Sequence, residues 1–133
     1  MNKKAQGIIK NHKKLLLVHG FSLGLLLLGF VICRYVVFGT IHGMKEWPFD
    51  LLVVGMIVWL AAFLTRKQYV SLFTALGYSL GFLLGALFHT EGIDPGGGKT
   101  DNLWIIWTVV FLGFILTGSI LEVIMKWRKL LKK

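Results

Sequence analysis

Residues 69–104, YVSLFTALGYSLGFLLGALFHTEGIDPGGGKTDNLW, join one apolar segment to the start of another through an acidic, glycine-rich loop. Gly77, Gly81 and Gly85 recur at every fourth position of the first segment. Residues four apart lie on the same face of a helix, so these glycines form a stripe without side-chain bulk. The stretch therefore predicts a helical hairpin whose first helix another helix can approach closely.

The composition of the whole chain is that of a membrane protein. Of its 133 residues, 56% are hydrophobic and 16% are charged, and the mean hydropathy is +0.72. Charged residues make up roughly 25% of a typical soluble domain. The single cysteine, Cys33, lies in an apolar run and has no partner for an intrachain disulfide. The chain is therefore predicted to be one membrane domain.

Four apolar segments cover most of the chain, at residues 15–38, 48–64, 69–88 and 103–125. A helix needs about 20 predominantly apolar residues to cross a hydrocarbon core. An open strand would leave its backbone groups unpaired there. We therefore predict an all-α fold, an integral membrane four-helix bundle formed by residues 1–133, with basic ends at 1–14 and 126–133.

Basic residues are concentrated on one side of this predicted bundle. Twelve of the fifteen lie in residues 1–14, 66–67 and 126–133, whereas five of the six acidic residues fall on the opposite side. Loops rich in Lys and Arg are typically cytoplasmic, so both termini are predicted to be cytoplasmic. Small size and compact loops favour a bacterial plasma membrane. The basic ends are expected to contact anionic lipid headgroups, and no nucleic acid partner is predicted.

Small residues form the predicted helix-packing interface. Its members are Thr74, Gly77, Gly81 and Gly85 on the third helix, and Gly20 and Gly24 on the first. Faces of small residues allow close helix contact in membranes. The third-helix stripe could pack within this bundle, against a second copy or against another protein, and the sequence leaves these alternatives open.

Besides Asp50, just inside the second apolar segment, two charged residues fall within the apolar segments, and ionisable groups at membrane depth are candidates for function. Arg34 lies near the outer end of the first helix, with Asp50 or Glu46 as the expected partner; alternatively it extends to the outer headgroups. Glu122 lies toward the inner end of the fourth helix, four residues before Lys126, in the favourable order for a local ion pair. If Glu122 instead faces the interior, His12 or His19 could supply a second titrating group.

Polar residues at the outer end of the bundle suggest a metal site only weakly. The candidates are His42, Glu46, His89 and Glu91, since imidazole and carboxylate groups suit zinc or manganese. A solvated acidic rim is the simpler interpretation, and no metal or other cofactor is predicted. The loop ends in Gly98-Lys99-Thr100, like a phosphate-binding P-loop, but Ile93 occupies the position of the required first glycine. Nucleotide binding is therefore rejected.

No catalytic motif occurs in the chain, so an enzyme is not predicted. The interpretation we favour is a non-catalytic accessory protein or subunit of a membrane complex, which contacts a partner protein through a glycine-striped helix. The alternative is a small oligomeric transporter or channel for an ion or small solute, with Arg34, Glu122 or the acidic rim as the selective elements.

Overall fold

The computed structural model describes residues 3–37 and 46–132 of the chain. Helix α1 runs over Lys3–Val31 and continues into a π-helical segment, Ile32–Val37. The other helices are α2 (Trp47–Leu64), α3 (Gln68–Phe88) and α4 (Leu103–Leu131). Two short strands, β1 (Glu91–Ile93) and β2 (Lys99–Asp101), separate α3 from α4. The predicted all-helical fold is confirmed for the described residues, apart from this small hairpin.

The two terminal helices are longer than the hydropathy pattern predicts. Helix α1 begins at Lys3 rather than at residue 15, and α4 continues to Leu131 rather than ending at residue 125. The additional turns are rich in Lys and Arg, which have good helix propensity but low hydropathy. Apolar runs therefore mark only part of each helix. The predicted end of the first helix, at residue 38, lies outside the described residues.

All four helices are long and apolar enough to cross a membrane. The candidate spans are Ile9–Val37, Trp47–Leu64, Gln68–Phe88 and Leu103–Leu131. Large apolar side chains are exposed along each of them, among them Leu17, Ile57, Leu87 and Val109. A water-soluble monomer rarely exposes apolar surface on this scale. The surface is the one expected of a multi-pass membrane protein.

Helix α3 is the central element, since it packs against each of the other three helices. Its most extensive contact is with α4, to which the antiparallel β1–β2 hairpin connects it. The two helices are antiparallel: Gly85 lies beside Leu103 near the hairpin, and Tyr69 lies beside Gly118 at the far end. Residues 69–104, which include most of α3, the β1–β2 hairpin and the start of α4, are thus the structural centre of the molecule.

An aromatic core fills the half of the bundle nearest the hairpin. Trp107, Tyr78 and Phe111 are fully buried, and the Tyr78 ring meets the other two edge-on. The indole N–H of Trp107 donates to the backbone oxygen of Tyr78 at 2.8 Å, and the Tyr78 hydroxyl donates to the oxygen of Pro48 at 2.7 Å. Because a buried N–H or O–H is costly without a partner, these bonds allow large aromatic rings to be buried here.

The two ends of the bundle differ in character. At the termini end, the first turns of α1, the α2–α3 turn and the last turns of α4 come together. At the loop end, the π-helical segment contacts α2, and the rings of Trp47 and Trp104, at the starts of α2 and α4, are in edge contact at 5.2 Å. Basic residues dominate the first end and acidic residues the second.

Candidate functional site

The glycine stripe of α3 faces α4 of the same chain. A Cβ atom at Gly81 would lie 2.8 Å from Cδ1 of Trp107 and 3.0 Å from its carbonyl oxygen, and one at Gly85 would lie 3.1 Å from the carbonyl oxygen of Leu103. Thr74, on the same face, is fully buried. These distances leave no room for a side chain at Gly81. The stripe therefore lets the backbones of two helices of one chain approach closely.

The close contact continues toward the termini end, where α4 contributes a glycine of its own. A Cβ atom at Gly77 would meet Cβ of Phe114 at 2.5 Å. One at Gly118 of α4 would lie 2.8 Å from Cβ of Phe73 and 3.0 Å from the carbonyl oxygen of Tyr69. Glycines from both helices thus form one continuous contact, called here the α3–α4 seam (Gly77, Gly81, Gly85 and Gly118). The contribution of Gly118 was not predicted from the sequence, because no glycine lies four residues from it to form a stripe.

The shorter stripe, Gly20 and Gly24 on α1, is in a different environment. Both residues are exposed, and none of the described residues has an atom within 4 Å of a Cβ atom added at either position. Leu17, Phe21 and Leu28, on the same side of α1, are exposed as well. The structure thus places the predicted interface residues in two separate locations, one closed by α4 and one open.

A buried polar cluster joins α1, α2 and α3 nearer the termini end. The Ser22 hydroxyl donates to the backbone oxygen of His19 at 3.0 Å and is hydrogen-bonded to the Ser71 hydroxyl. The indole N–H of Trp59 is 3.1 Å from both the His19 oxygen and the Ser22 hydroxyl oxygen. His19, Ser22 and Ser71 are at most 1% exposed. One residue from α2 and one from α3 thus converge on a single turn of α1.

The His19 imidazole is the most unusual group in this cluster. Neither ring nitrogen has a hydrogen-bond partner among the described residues, although the side chain is buried. The ring packs edge-on against Phe63 and Trp59, with centroid separations of 5.4 and 6.3 Å. A buried polar group without a partner costs free energy, on the order of 1–3 kcal/mol. Such a group is a candidate for binding a proton or a small polar ligand.

Glu122 of α4 binds the beginning of α3. Its carboxylate accepts a hydrogen bond from the backbone N–H of Tyr69 at 3.0 Å. The first N–H groups of a helix lack intrahelical partners and carry partial positive charge, so a carboxylate is stabilising there. The ion pair predicted with Lys126 is not formed in the described part of the chain.

Arg34, at the loop end, pairs with Glu46, one of the two partners that its position suggests. The guanidinium Nη2 lies 3.4 Å from Oε1, and Nη1 lies 3.5 Å from Oε2. The two groups are therefore arranged side by side. Glu46 is 73% exposed, so the pair resembles a surface ion pair, which contributes about 0–1 kcal/mol.

The four weak metal candidates are not assembled into a site by the described residues. His42 lies outside them, and Glu46 is paired with Arg34. His89 lies with Nδ1 2.8 Å from the backbone oxygen of Ala86. Glu91 is exposed on β1. Within residues 3–37 and 46–132, no group of three or more His, Cys, Asp or Glu side chains has a geometry that could hold a metal ion.

The acidic loop between α3 and α4 binds its own backbone. Asp94 accepts hydrogen bonds at 2.8 Å from the N–H groups of Gly96 and Gly98, which closes the turn between β1 and β2. Asp101 accepts from the N–H of Leu103 at 2.7 Å and so caps α4. The two strands were not predicted from the sequence. Gly96 and Gly98 donate their backbone N–H groups to the carboxylate of Asp94 within this turn.

Comparison of this chain with protein-family models, with curated proteins and with solved structures finds no match.

Proposed function

We propose that this protein is a multi-pass membrane protein that acts as a non-catalytic accessory protein or subunit of a membrane complex. The observation that carries the proposal is the open face of α1, defined by Leu17, Gly20, Phe21, Gly24 and Leu28. Its glycines have open space above them, and its large side chains are exposed. Alternating small and large residues are the pattern against which an apolar helix packs in a membrane.

A groove on this face gives the partner helix a place to bind. It has a volume of about 630 Å³ and is lined largely by Leu16, Leu17, Gly20 and Phe21. The stripe on α3, by contrast, is already filled by α4. We therefore assign the partner contact to α1 instead of to the helix that the sequence favoured.

The filled interior supports an accessory role over transport by a single copy. Trp107, Tyr78 and Phe111 are fully buried at the loop end, and α4 lies directly on the glycines of α3. Because protein interiors packed in this way leave few voids as large as a water molecule, they offer a solute little room.

The proposed orientation has both termini in the cytoplasm, in a bacterial plasma membrane. Its support is the concentration of basic residues at the termini end. A membrane-impermeant thiol reagent should label Asp94→Cys in intact cells and Lys132→Cys only after permeabilisation. Native Cys33 is buried and should give a low background. Labelling in the reverse order would contradict the orientation.

The accessory role is tested by mass determination of the protein purified in mild detergent. We expect a complex of fixed stoichiometry with a second protein, and Gly24→Leu should abolish it. The matched control is Gly113→Leu, since Gly113 on α4 is equally open. A monomer, or a homo-oligomer without any other protein, would contradict the accessory role. Equal loss in the two variants would contradict the assignment to α1.

One observation favours the alternative function, a small oligomeric transporter or channel. His19 is buried with both ring nitrogens unpartnered among the described residues. Titratable groups at membrane depth often form proton or ion pathways. The alternative requires a homo-oligomer that conducts ions in liposomes and loses at least about tenfold of its flux in His19→Gln, a loss typical of removing a proton-transfer group.

A further inference from the structure

A cavity at the termini end is lined almost entirely by hydrogen-bond donors. It has a volume of about 300 Å³ and lies between α1, the α2–α3 turn and α4. The polar side chains that line it are Asn11, His12, Lys14, Arg66, Gln68 and Lys129. None of these is a carboxylate, and three carry a permanent positive charge at neutral pH. The cavity, called here the basic pocket, is therefore suited to an anion with several oxygen atoms.

Arg66 occupies a backbone position that normally belongs to glycine. Helix α2 ends in a Schellman motif, in which the N–H of Lys67 bonds the oxygen of Ala62 at 2.8 Å and the N–H of Arg66 bonds that of Phe63 at 3.1 Å. The motif requires a left-handed residue, and Arg66 has φ of +56°. A side chain disfavours this conformation. This backbone conformation sets the direction in which the Arg66 side chain leaves the turn. Arg66 lines the cavity together with Lys14 and Lys129.

The charges of the basic pocket come from parts of the chain that are distant in sequence. Lys14 belongs to α1, Arg66 to the turn and Lys129 to α4. The acidic residue nearest to Lys129 along α4 is Glu122. Its carboxylate accepts a hydrogen bond from the backbone N–H of Tyr69. Like charges brought together in this way repel one another unless an anion lies between them. The folded bundle thus assembles a site that no single segment contains.

The basic pocket lies at the depth of lipid headgroups. Leu15 completes its wall, and the apolar segment of α1 begins at this same residue. Exposed apolar side chains, among them Leu16 and Leu17, continue along α1 from this level. Trp127 of α4, two residues before Lys129, is exposed, as interfacial tryptophans are. A phosphate in the pocket could therefore be attached to acyl chains lying against the helices.

We propose that the basic pocket binds the phosphate group of an anionic phospholipid, with Lys14, Arg66 and Lys129 as the charged contacts and Asn11 and Gln68 as amide donors. The proposal rests on the proposed membrane insertion but not on the accessory role. It differs from general attraction between basic ends and an acidic bilayer because it assigns the effect to one set of side chains.

The test measures lipid binding to the purified protein by native mass spectrometry and by thermal unfolding in detergent. Phosphatidylglycerol should bind at a one-to-one ratio and raise the melting temperature, while phosphatidylcholine and inorganic phosphate should do so much less. Lys14→Gln should weaken phosphatidylglycerol binding about fivefold, the expected contribution of one basic residue near an anionic surface. The matched control, Lys13→Gln, removes the same charge one residue away, on the other side of α1, and should bind normally.

A second variant, Arg66→Gly, separates a binding role from a structural one. Glycine suits the left-handed position, so without lipid this variant should melt at a higher temperature than the parent protein. The stabilisation by phosphatidylglycerol should nevertheless be smaller. Equal effects of Lys13→Gln and Lys14→Gln, equal stabilisation by phosphatidylcholine or by inorganic phosphate, or an undiminished lipid effect in Arg66→Gly would each overturn the proposal. None of these outcomes depends on whether a partner protein is found.

Discussion

The two glycine stripes of this protein have the same four-residue spacing and opposite environments. On α3, a Cβ atom at Gly81 would lie within 3.0 Å of the Trp107 backbone, whereas on α1 nothing approaches the added Cβ of Gly20 or Gly24 within 4 Å. The spacing creates a face that can be approached closely, but it does not determine which helix approaches. That choice depends on the short β1–β2 hairpin, which holds α4 beside α3.

The difference also explains where the bundle derives its stability. Between helices in a membrane, close van der Waals contact replaces much of the hydrophobic driving force. The α3–α4 seam brings backbone and large aromatic side chains into contact over its whole length, from Leu103 to Tyr69. The open face of α1 has no such contact with the residues that the structure describes. Substitutions in the two stripes should therefore have unequal effects.

Gly81→Leu should have the largest effect. A leucine side chain cannot fit against the Trp107 backbone, so the seam must separate, and we expect a loss of at least about 3 kcal/mol in the free energy of unfolding. Thermal unfolding in detergent measures it. Gly24→Leu is the matched control and should leave the monomer's melting temperature nearly unchanged. Similar melting temperatures for the two variants would abolish the distinction between the stripes.

Gly118→Ala tests the other side of the seam. Its added Cβ would lie 2.8 Å from Cβ of Phe73 and 3.0 Å from the oxygen of Tyr69. Both atoms belong to or adjoin the α3 backbone and cannot rotate away, so the expected loss is about 1–3 kcal/mol. Gly113→Ala, on an open part of α4, should be neutral or slightly stabilising. The difference in melting temperature between these two single-methyl variants measures how closely the helices pack.

Glu122→Ala should weaken the seam at its termini end. The variant leaves the N–H of Tyr69 without its carboxylate partner, and loss of a helix cap costs typically about 1 kcal/mol. Glu122→Gln retains an acceptor oxygen and should lose less. Unfolding in a titrated denaturing detergent compares the two. Equal losses would show that the charge, and not the hydrogen bond, is what stabilises the start of α3.

Gly20→Ala and Gly24→Ala should have the smallest effect. Alanine has higher helix propensity than glycine, so each variant should be neutral or gain up to about 1 kcal/mol in the isolated protein. A loss of stability in the monomer would mean that the face is occupied within the chain after all. If the variants keep their stability but bind the partner more weakly in co-purification, the space above Gly20 and Gly24 is filled by another protein. The two glycine stripes would then differ in whether they pack within the chain or between proteins.

Much of the fold could be predicted from the sequence, because apolar length and charge position are local properties. The central parts of all four helices follow from such local patterns. The π-helical segment Ile32–Val37 was not predicted, since no residue type marks it clearly. The strands β1 and β2 were missed because the Pro-Gly turn signal conceals two three-residue segments.

Contacts between distant residues were harder to predict. The hydrogen bond between Ser22 and Ser71, with the Trp59 indole beside it, depends on the axial register of three helices, which hydropathy does not specify. The expected ion-pair partner of Arg34 could be narrowed to Glu46 or Asp50, because both lie at the start of α2. In the structure, Arg34 pairs with Glu46. For Glu122 the nearest lysine in sequence was the obvious partner, yet α3 provides a closer donor. Local reasoning underestimates contacts that only the assembled bundle creates.

The central position of α3 has a consequence for the order of synthesis. Chains are made from the N-terminus, so α1 and α2 are inserted before the helix that covers them exists. Trp59 and Phe63 of α2 already contact His19, but Ser22 gains its hydrogen bond to Ser71 only when α3 is made, and α3 in turn needs α4 to fill its glycines. The contacts of the first two helices are therefore completed only after the second half of the chain has been made.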